Sequence, residues 1–448
     1  MAALSRTTGT LAGAPADRGS DYETFLIANG LIKVRGRRNV LLAEELLRPI
    51  VQRHPDWPEA KLALAKTLYL TQGQAVEAFR LAQAVAIADP TSGLAFALMG
   101  VTSPDRRRTL GWLETAVRQE PFDAEILMFL GGAQQEQMQF ERAFQTVLKV
   151  WQLEPYWVRA NQVSDLAAEL GYSAMANEID RTLAASHPQR HQRLLARARL
   201  EMRTGEWGAA LQSAKQALID PDNPETNEAM LKVLKLSAAM GQATGIEPRN
   251  PAAAIFQSLY RGVLPDRSTL ERDGVPPKDF WRLNEVLLIA PALFVATGRE
   301  AELVRLFDRS FANPREMLEH MQVHIPWGPS KFGSVAPYLA LSLRELGRHE
   351  EGQRHLESAR ALLQDAKAKG RTPTGHLVDL ARIEATLGNR RAALDLLRQA
   401  RSQGWPRIGH GPLPMILTTL RDDPALRSLA GAPEFEAAER RLAELKRG

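Results

Sequence analysis

Residues 124–155 read AEILMFLGGAQQEQMQFERAFQTVLKVWQLEP. Two apolar series lie inside that stretch, and both repeat at helical spacing. Leu127, Leu130, Gly131, Gln134 and Met138 mark one helix, with Gly131 at a position of close contact. Phe140, Ala143, Phe144, Val147 and Val150 mark a second, at i, i+3, i+4, i+7 spacing. Pro155 ends it, because proline cannot donate the backbone hydrogen bond that an interior turn needs. A small residue at a helix crossing lets two backbones approach, and a bulky one there would overpack by about 1–3 kcal/mol. The stretch therefore predicts a helical hairpin.

The hairpin is one of a series. Prolines recur at Pro55, Pro90, Pro121, Pro155, Pro188 and Pro221, spaced by 35, 31, 34, 33 and 33 residues, each after an acid or a histidine. A period near 34 is that of a two-helix solenoid unit, which cannot bury its apolar face alone and must stack on neighbours. The chain's 448 residues exceed one ordinary core, so a repeat array or two domains is expected. Aromatic residues are only 6% while Ala and Leu dominate, which favours helix over sheet. The fold class expected is all-α, an α-solenoid of helical hairpins in two stacked arrays.

Residues 59–90 carry Leu62, Ala65, Tyr69, Gly73, Ala78, Ala82 and Pro90, in a register that resembles the tetratricopeptide repeat (TPR). Residues 157–188 keep Leu170, Gly171, Tyr172, Ala176 and Pro188, and residues 191–222 keep Ala198, Gly205, Ala210, Ala214 and Ala217. The unit ending at Pro55 departs with Leu31 at a small-residue position, and the one ending at Pro121 is short, with Ser103-Pro104-Asp105 replacing the usual turn. The tail around Trp405, Asp423-Pro424 and Phe435, with the opening Asp21-Tyr22-Glu23, is similar to TPR regions of bacterial winged-helix, cyclase and TolB-like signalling proteins. That likeness spans roughly residues 21–446. It implies a scaffold that binds a protein or peptide in its concave groove, or alternatively a sensory or regulatory module whose output domain is encoded elsewhere. Residues 1–20 are too few to hold such a domain.

The expected organisation is a disordered segment over 1–20, a first array over 21–240, an irregular junction over 241–279 and a second array over 280–448. Glycines and prolines crowd the junction and interrupt helices there. Hairpins resume beyond it, with Leu346-Gly347 and Leu387-Gly388 at inter-helix turns that suit the left-handed C′ position. Residues 325–333, IPWGPSKFG, read as a loop in which Trp327 and Phe332 could anchor a ligand or pack over a helix end. Trp405 beside Pro406 reads as packing.

Cysteine is absent, which excludes disulfides, thiolate metal sites and cysteine nucleophiles. The net charge of +5 is small for this length, and the clusters Arg106-Arg107-Arg108 and Arg35 with Arg37-Arg38 lack interleaved aromatics, so no strong nucleic-acid signal emerges. The most apolar run, residues 286–296, is 11 residues long and contains Pro291, too short to span a membrane. The first twenty residues hold no secretory-type apolar stretch, and a cytoplasmic location is the default expectation. His320 and His324, i and i+4, could place two imidazoles on one helix face for a metal-dependent enzyme, but Met321 follows His320 and the His-Glu-x-x-His pattern is missing. No catalytic constellation, cofactor or metal is expected. Aligning the repeats puts Glu125, Met128, Gln135, Asn161, Asp165, Arg199 and Met202 on the inner face, a set of mixed charge for a protein or peptide partner.

Overall fold

A computed structural model describes residues 19–34, 37–71, 74–155, 160–220, 226–242, 258–259, 261–264, 284–324, 328–406 and 419–447. The expected junction over 241–279 and the segment over 1–20 lie almost wholly outside these residues. Every regular element among them is helical. None of those helices is long and apolar enough to cross a membrane.

The chain packs as two compact units, residues 1–129 and 130–448. The first holds α1 (Gly19–Val34), α2 (Arg37–Arg53), α3 (Pro58–Thr71), α4 (Ala75–Ala88), α5 (Gly93–Thr102) and α6 (Thr109–Gln119), and the boundary falls inside α7 (Ala124–Glu136). Each helix packs on the next, α1 on α2, α2 on α3, and so on to α6. Their core is one cluster that includes Phe25, Ala28, Leu47, Trp57, Leu64, Leu68, Ala82 and Leu98. Two of the acids before repeat-closing prolines have a local task. Asp89 accepts hydrogen bonds from the Thr91 amide at 2.9 Å and the Thr91 hydroxyl at 2.6 Å, a turn that spans Pro90. Glu120 accepts the Leu94 amide at 3.2 Å, so the corner of one hairpin caps the start of α5.

The second unit continues with α8 (Phe140–Leu153), α9 (Ala160–Glu169), α10 (Ser173–Ser186), α11 (Arg190–Thr204), α12 (Trp207–Ile219) and α13 (Thr226–Ala239). Gly131 makes the close approach expected of it: a Cβ there would stand 2.5 Å from Val147 Cγ1. Met138 departs from expectation. α7 stops at Glu136, and Met138 sits in the turn with φ 58° although its side chain is buried. The other inter-helix turns of this kind use glycine, at Gly347 (φ 78°) and Gly388 (φ 87°) among them.

Later in the same unit come α14 (Asn284–Ala296), α15 (Glu300–Asp308), α16 (Pro314–His324), α17 (Gly328–Glu345), α18 (His349–Ala368), α19 (Thr374–Thr386), α20 (Arg390–Ser402) and, after two 3₁₀ turns, α21 (Pro433–Arg447). Residues 328–333, expected as loop, are the opening turns of α17. Proline at the first turn of a helix loses no needed hydrogen bond, so Gly328-Pro329 starts this helix. The α18–α19 turn and α19 pack on α8 and on the turn after α9. The rings of Phe140 and His376 lie 4.7 Å apart. The Arg371 guanidinium sits 4.5 Å over the Tyr172 ring, and its Nε donates to the Leu170 carbonyl.

Candidate partner-binding surface

Five of the seven inner-face candidates belong to the second unit, and three of those five meet. α9, α11 and α13 are the first helices of successive hairpins, and each sends charged or polar side chains toward its neighbour. Arg199 on α11 is buried. Its Nε and Nη2 both donate to one oxygen, Asp180 Oδ1, at 2.9 and 2.7 Å. Arg203, one turn on, donates to Asp180 Oδ2, as does the Ser164 hydroxyl. Burial opposes ionisation of Asp180, but the two guanidinium charges and their hydrogen bonds win and hold its carboxyl below the usual range.

Around that buried knot stands a more open ring. Asp165 Oδ1 lies 3.9 Å from Arg199 Nε, and Glu228 Oε1 lies 3.5 Å from Arg199 Nη1. Asn161 Nδ2 donates to Glu228 Oε2 at 3.3 Å, and Lys232 Nζ pairs with Glu228 Oε1 at 3.0 Å. The Asp165 and Glu228 side chains are 32% and 25% exposed, so solvent reaches the ring but not the knot. Asn161 Oδ1 and Arg199 Nη1 make no hydrogen bond within the protein, but both atoms are buried and Nη1 faces the Glu228 carboxylate.

The remaining candidates lie apart. Glu125 and Met128 belong to the first unit, where the Glu125 carboxylate pairs with Lys66 and Met128 is buried. Tyr69 and Phe129 pack edge to face at 5.6 Å along the same two helices, α3 and α7. Met202 is buried and Gln135 half-buried. Phe332 is fully buried on α17, 6.2 Å from the His355 ring, and Trp405 is buried as well. Trp327 and Arg35 lie outside the described residues. His320 and His324 are on one helix, α16, and the His320 ring packs 5.4 Å from that of Phe311. Among the described residues no three His, Asp or Glu side chains converge as metal ligands would. Arg107 of the basic triplet pairs with Asp105 at 2.8 Å.

Sequence reasoning missed Asp180, Arg203, Ser164, Glu228 and Lys232. One signal was available. Asp180 stands on the apolar stripe of α10 between Ala176, Ile179 and Leu183, where a carboxylate must find a buried partner.

A second polar cluster lies further along the unit, among α17, α19 and the tail. Arg382 donates to Asp379 Oδ1 and to Asp423 Oδ2, both at 2.8 Å. Ser334 donates to Asp379 at 2.7 Å, and the Tyr338 hydroxyl donates to Asp423 at 3.1 Å. All five side chains are buried. Burial pushes the Asp379 carboxyl up despite the Arg382 charge, and it pushes the Tyr338 hydroxyl well up.

No family model matches the chain, and no curated protein matches it. Among solved structures, it is similar to a thermophilic TPR protein of Thermus thermophilus, at 17% identity and TM-score 0.30, over 47% of this chain and 99% of that one. It is similar to the Cut9–Hcn1 hetero-tetramer of the APC/C at 12% identity and TM-score 0.31, over 94% and 96%. The P58(IPK) TPR domain matches at 15% identity and TM-score 0.21, over 86% and 98%. Superpositions this loose transfer no activity or partner to this chain.

Proposed function

We propose that the chain is a non-enzymatic scaffold that holds an extended protein segment against α9, α11 and α13. The observation that supports this reading most directly is the partly exposed pair of carboxylates in the ring, Asp165 and Glu228, 32% and 25% exposed, contributed by the first helices α9 and α13. An extended peptide offers an N–H at every residue, and a carboxylate accepts such donors. Asp165, Glu228 and Lys232 would then select for charge on the segment, and the buried knot beneath holds the ring in place without reorganisation.

The test is selection from a displayed library of random peptides against the full chain. Selected peptides should bind the parent and lose at least about tenfold in affinity to a variant carrying Asn161→Ala and Glu228→Gln, with helicity by circular dichroism unchanged. Equal affinity for the variant would remove this surface from consideration.

A further inference from the structure

One face of α1 is largely apolar and exposed. On α1 the buried side is Phe25, Ala28 and Ile32. Opposite it, Leu26, Ile27 and Val34 are 44%, 59% and 68% exposed. With Glu23, Gly30 and Lys33, also exposed, they fill an arc of about 120° at 100° per residue. Leu41 and Leu42 on α2 of the same hairpin are exposed as well.

Two features of this face say what covers it. The first is charge. Glu23 stands toward the start of the stripe and Lys33 toward its end. A second α1 laid antiparallel across the face sets Glu23 of each copy against Lys33 of the other, and a two-fold axis makes both pairs at once. Antiparallel helices also oppose their dipoles favourably. The second feature is Gly30, in the middle of the stripe. Glycine in a helix interior is about 1 kcal/mol less favourable than alanine. Nothing within the protomer calls for it, since a Cβ at Gly30 would meet no atom within 4 Å. In the register that pairs Glu23 with Lys33 the two-fold axis passes at the level of Ala28, so Gly30 of each copy lies opposite Leu26 of the other, where glycine permits the short end of the usual interaxial range, about 8 Å.

We propose that α1 is a self-association surface, and that a second copy of this chain packs on it antiparallel, with Gly30 of each copy opposite Leu26 of the other. One helix face per copy is small beside the roughly 800 Å² per partner of a stable complex, so the dimer is weak and reversible. The stripe buries its apolar centre, and the two Glu23–Lys33 pairs at its ends set direction and register.

Sedimentation of the full chain over a range of concentrations should show a monomer–dimer equilibrium. Glu23→Lys alone and Lys33→Glu alone each turn two attractions into two repulsions and should weaken the dimer about tenfold. The double exchange, E23K with K33E, restores both pairs and should restore association to the parent's strength. The chain has no cysteine, so Leu26→Cys and Gly30→Cys each add a single thiol; oxidation of the two variants mixed should join one copy of each, because residues facing across the pair fall within disulfide reach. Ile87→Cys, on α4 and 75% exposed, should stay largely monomeric under the same oxidation. A chain that remains monomeric at every concentration overturns the proposal. So does a double exchange that fails to restore association, which is the result expected if a different protein covers this face.

Discussion

The two polar clusters of the second unit are built from the same residue types in opposite proportion. Near α9–α13, two guanidinium groups, Arg199 and Arg203, close on one buried carboxylate, Asp180. Near α17–α19, one guanidinium, Arg382, is divided between two, Asp379 and Asp423. The sign of the carboxyl shift follows that ratio. Asp180 is held down because its positive partners outnumber it, whereas Asp379 is pushed up because burial outweighs half of one arginine. The surroundings differ too. The first cluster sets its excess positive charge against an outer ring, Asp165 and Glu228, that solvent reaches in part. The second is bordered by the Ser334 and Tyr338 hydroxyls and by the half-buried His376, whose charge would oppose the upward push on Asp379. Asp423 comes from the tail and accepts the Ala425 amide at 3.0 Å, so Arg382 ties the tail to α19. One cluster is buried throughout, and the other is a buried knot bordered by a partly exposed ring.

The sharpest way to break this contrast is Arg382→Met. Methionine fills much of the same volume but strands Asp379 and Asp423 in a buried site, and removing one partner of a buried pair costs about 3–5 kcal/mol. Denaturant unfolding should register a loss of that order. A loss below about 1 kcal/mol would mean that solvent reaches the cluster after all.

Acid should separate the clusters by sign. A carboxyl held low in the folded state contributes stability above its unfolded value near 4, and that contribution is lost as pH falls through the folded value. Asp180 is of this kind. A carboxyl pushed up contributes in the opposite sense: its stabilising effect is full below about 4 and is lost as pH rises through the folded value. Asp379 is of that kind. Urea midpoints followed from neutral pH to about 3 should therefore fall less steeply in Asp180→Asn than in the parent, and more steeply in Asp379→Asn. Slopes that change in the same direction would contradict the charge ratio as the cause.

How far the sequence discloses these features depends on the distance over which each is determined. The hairpins are legible because their signals are local: the Gly131 contact, the acid-proline corners at Asp89 and Glu120, and the apolar spacing of α8 all act within one repeat. Asn161, Asp165 and Arg199 can be placed on one face by aligning first helices. Their partner Asp180 cannot, since it comes from a second helix and shows itself only as a charge on an apolar stripe. Asp423 is harder still, 41 residues from Arg382 and in irregular tail structure. Two local readings failed for opposite reasons. Gly328-Pro329 resembled loop punctuation but begins a helix, and Met138 carried no turn signal yet occupies a left-handed turn.

The smallest effect belongs to the open ring. Glu228→Gln keeps an acceptor for Asn161 Nδ2 while removing the charge that faces Arg199 and Lys232. With a quarter of the Glu228 side chain exposed, water compensates much of what is lost, and the stability change should stay below about 1 kcal/mol. Asp165→Asn should behave alike, because its contact with Arg199 is the longer one at 3.9 Å. Peptide capture should nonetheless weaken in both variants, since the charges that select the segment are the ones removed. If Glu228→Gln instead destabilises the fold nearly as much as Arg382→Met, the ring is a second interior fastening, and the distinction between a surface that binds and a cluster that holds disappears.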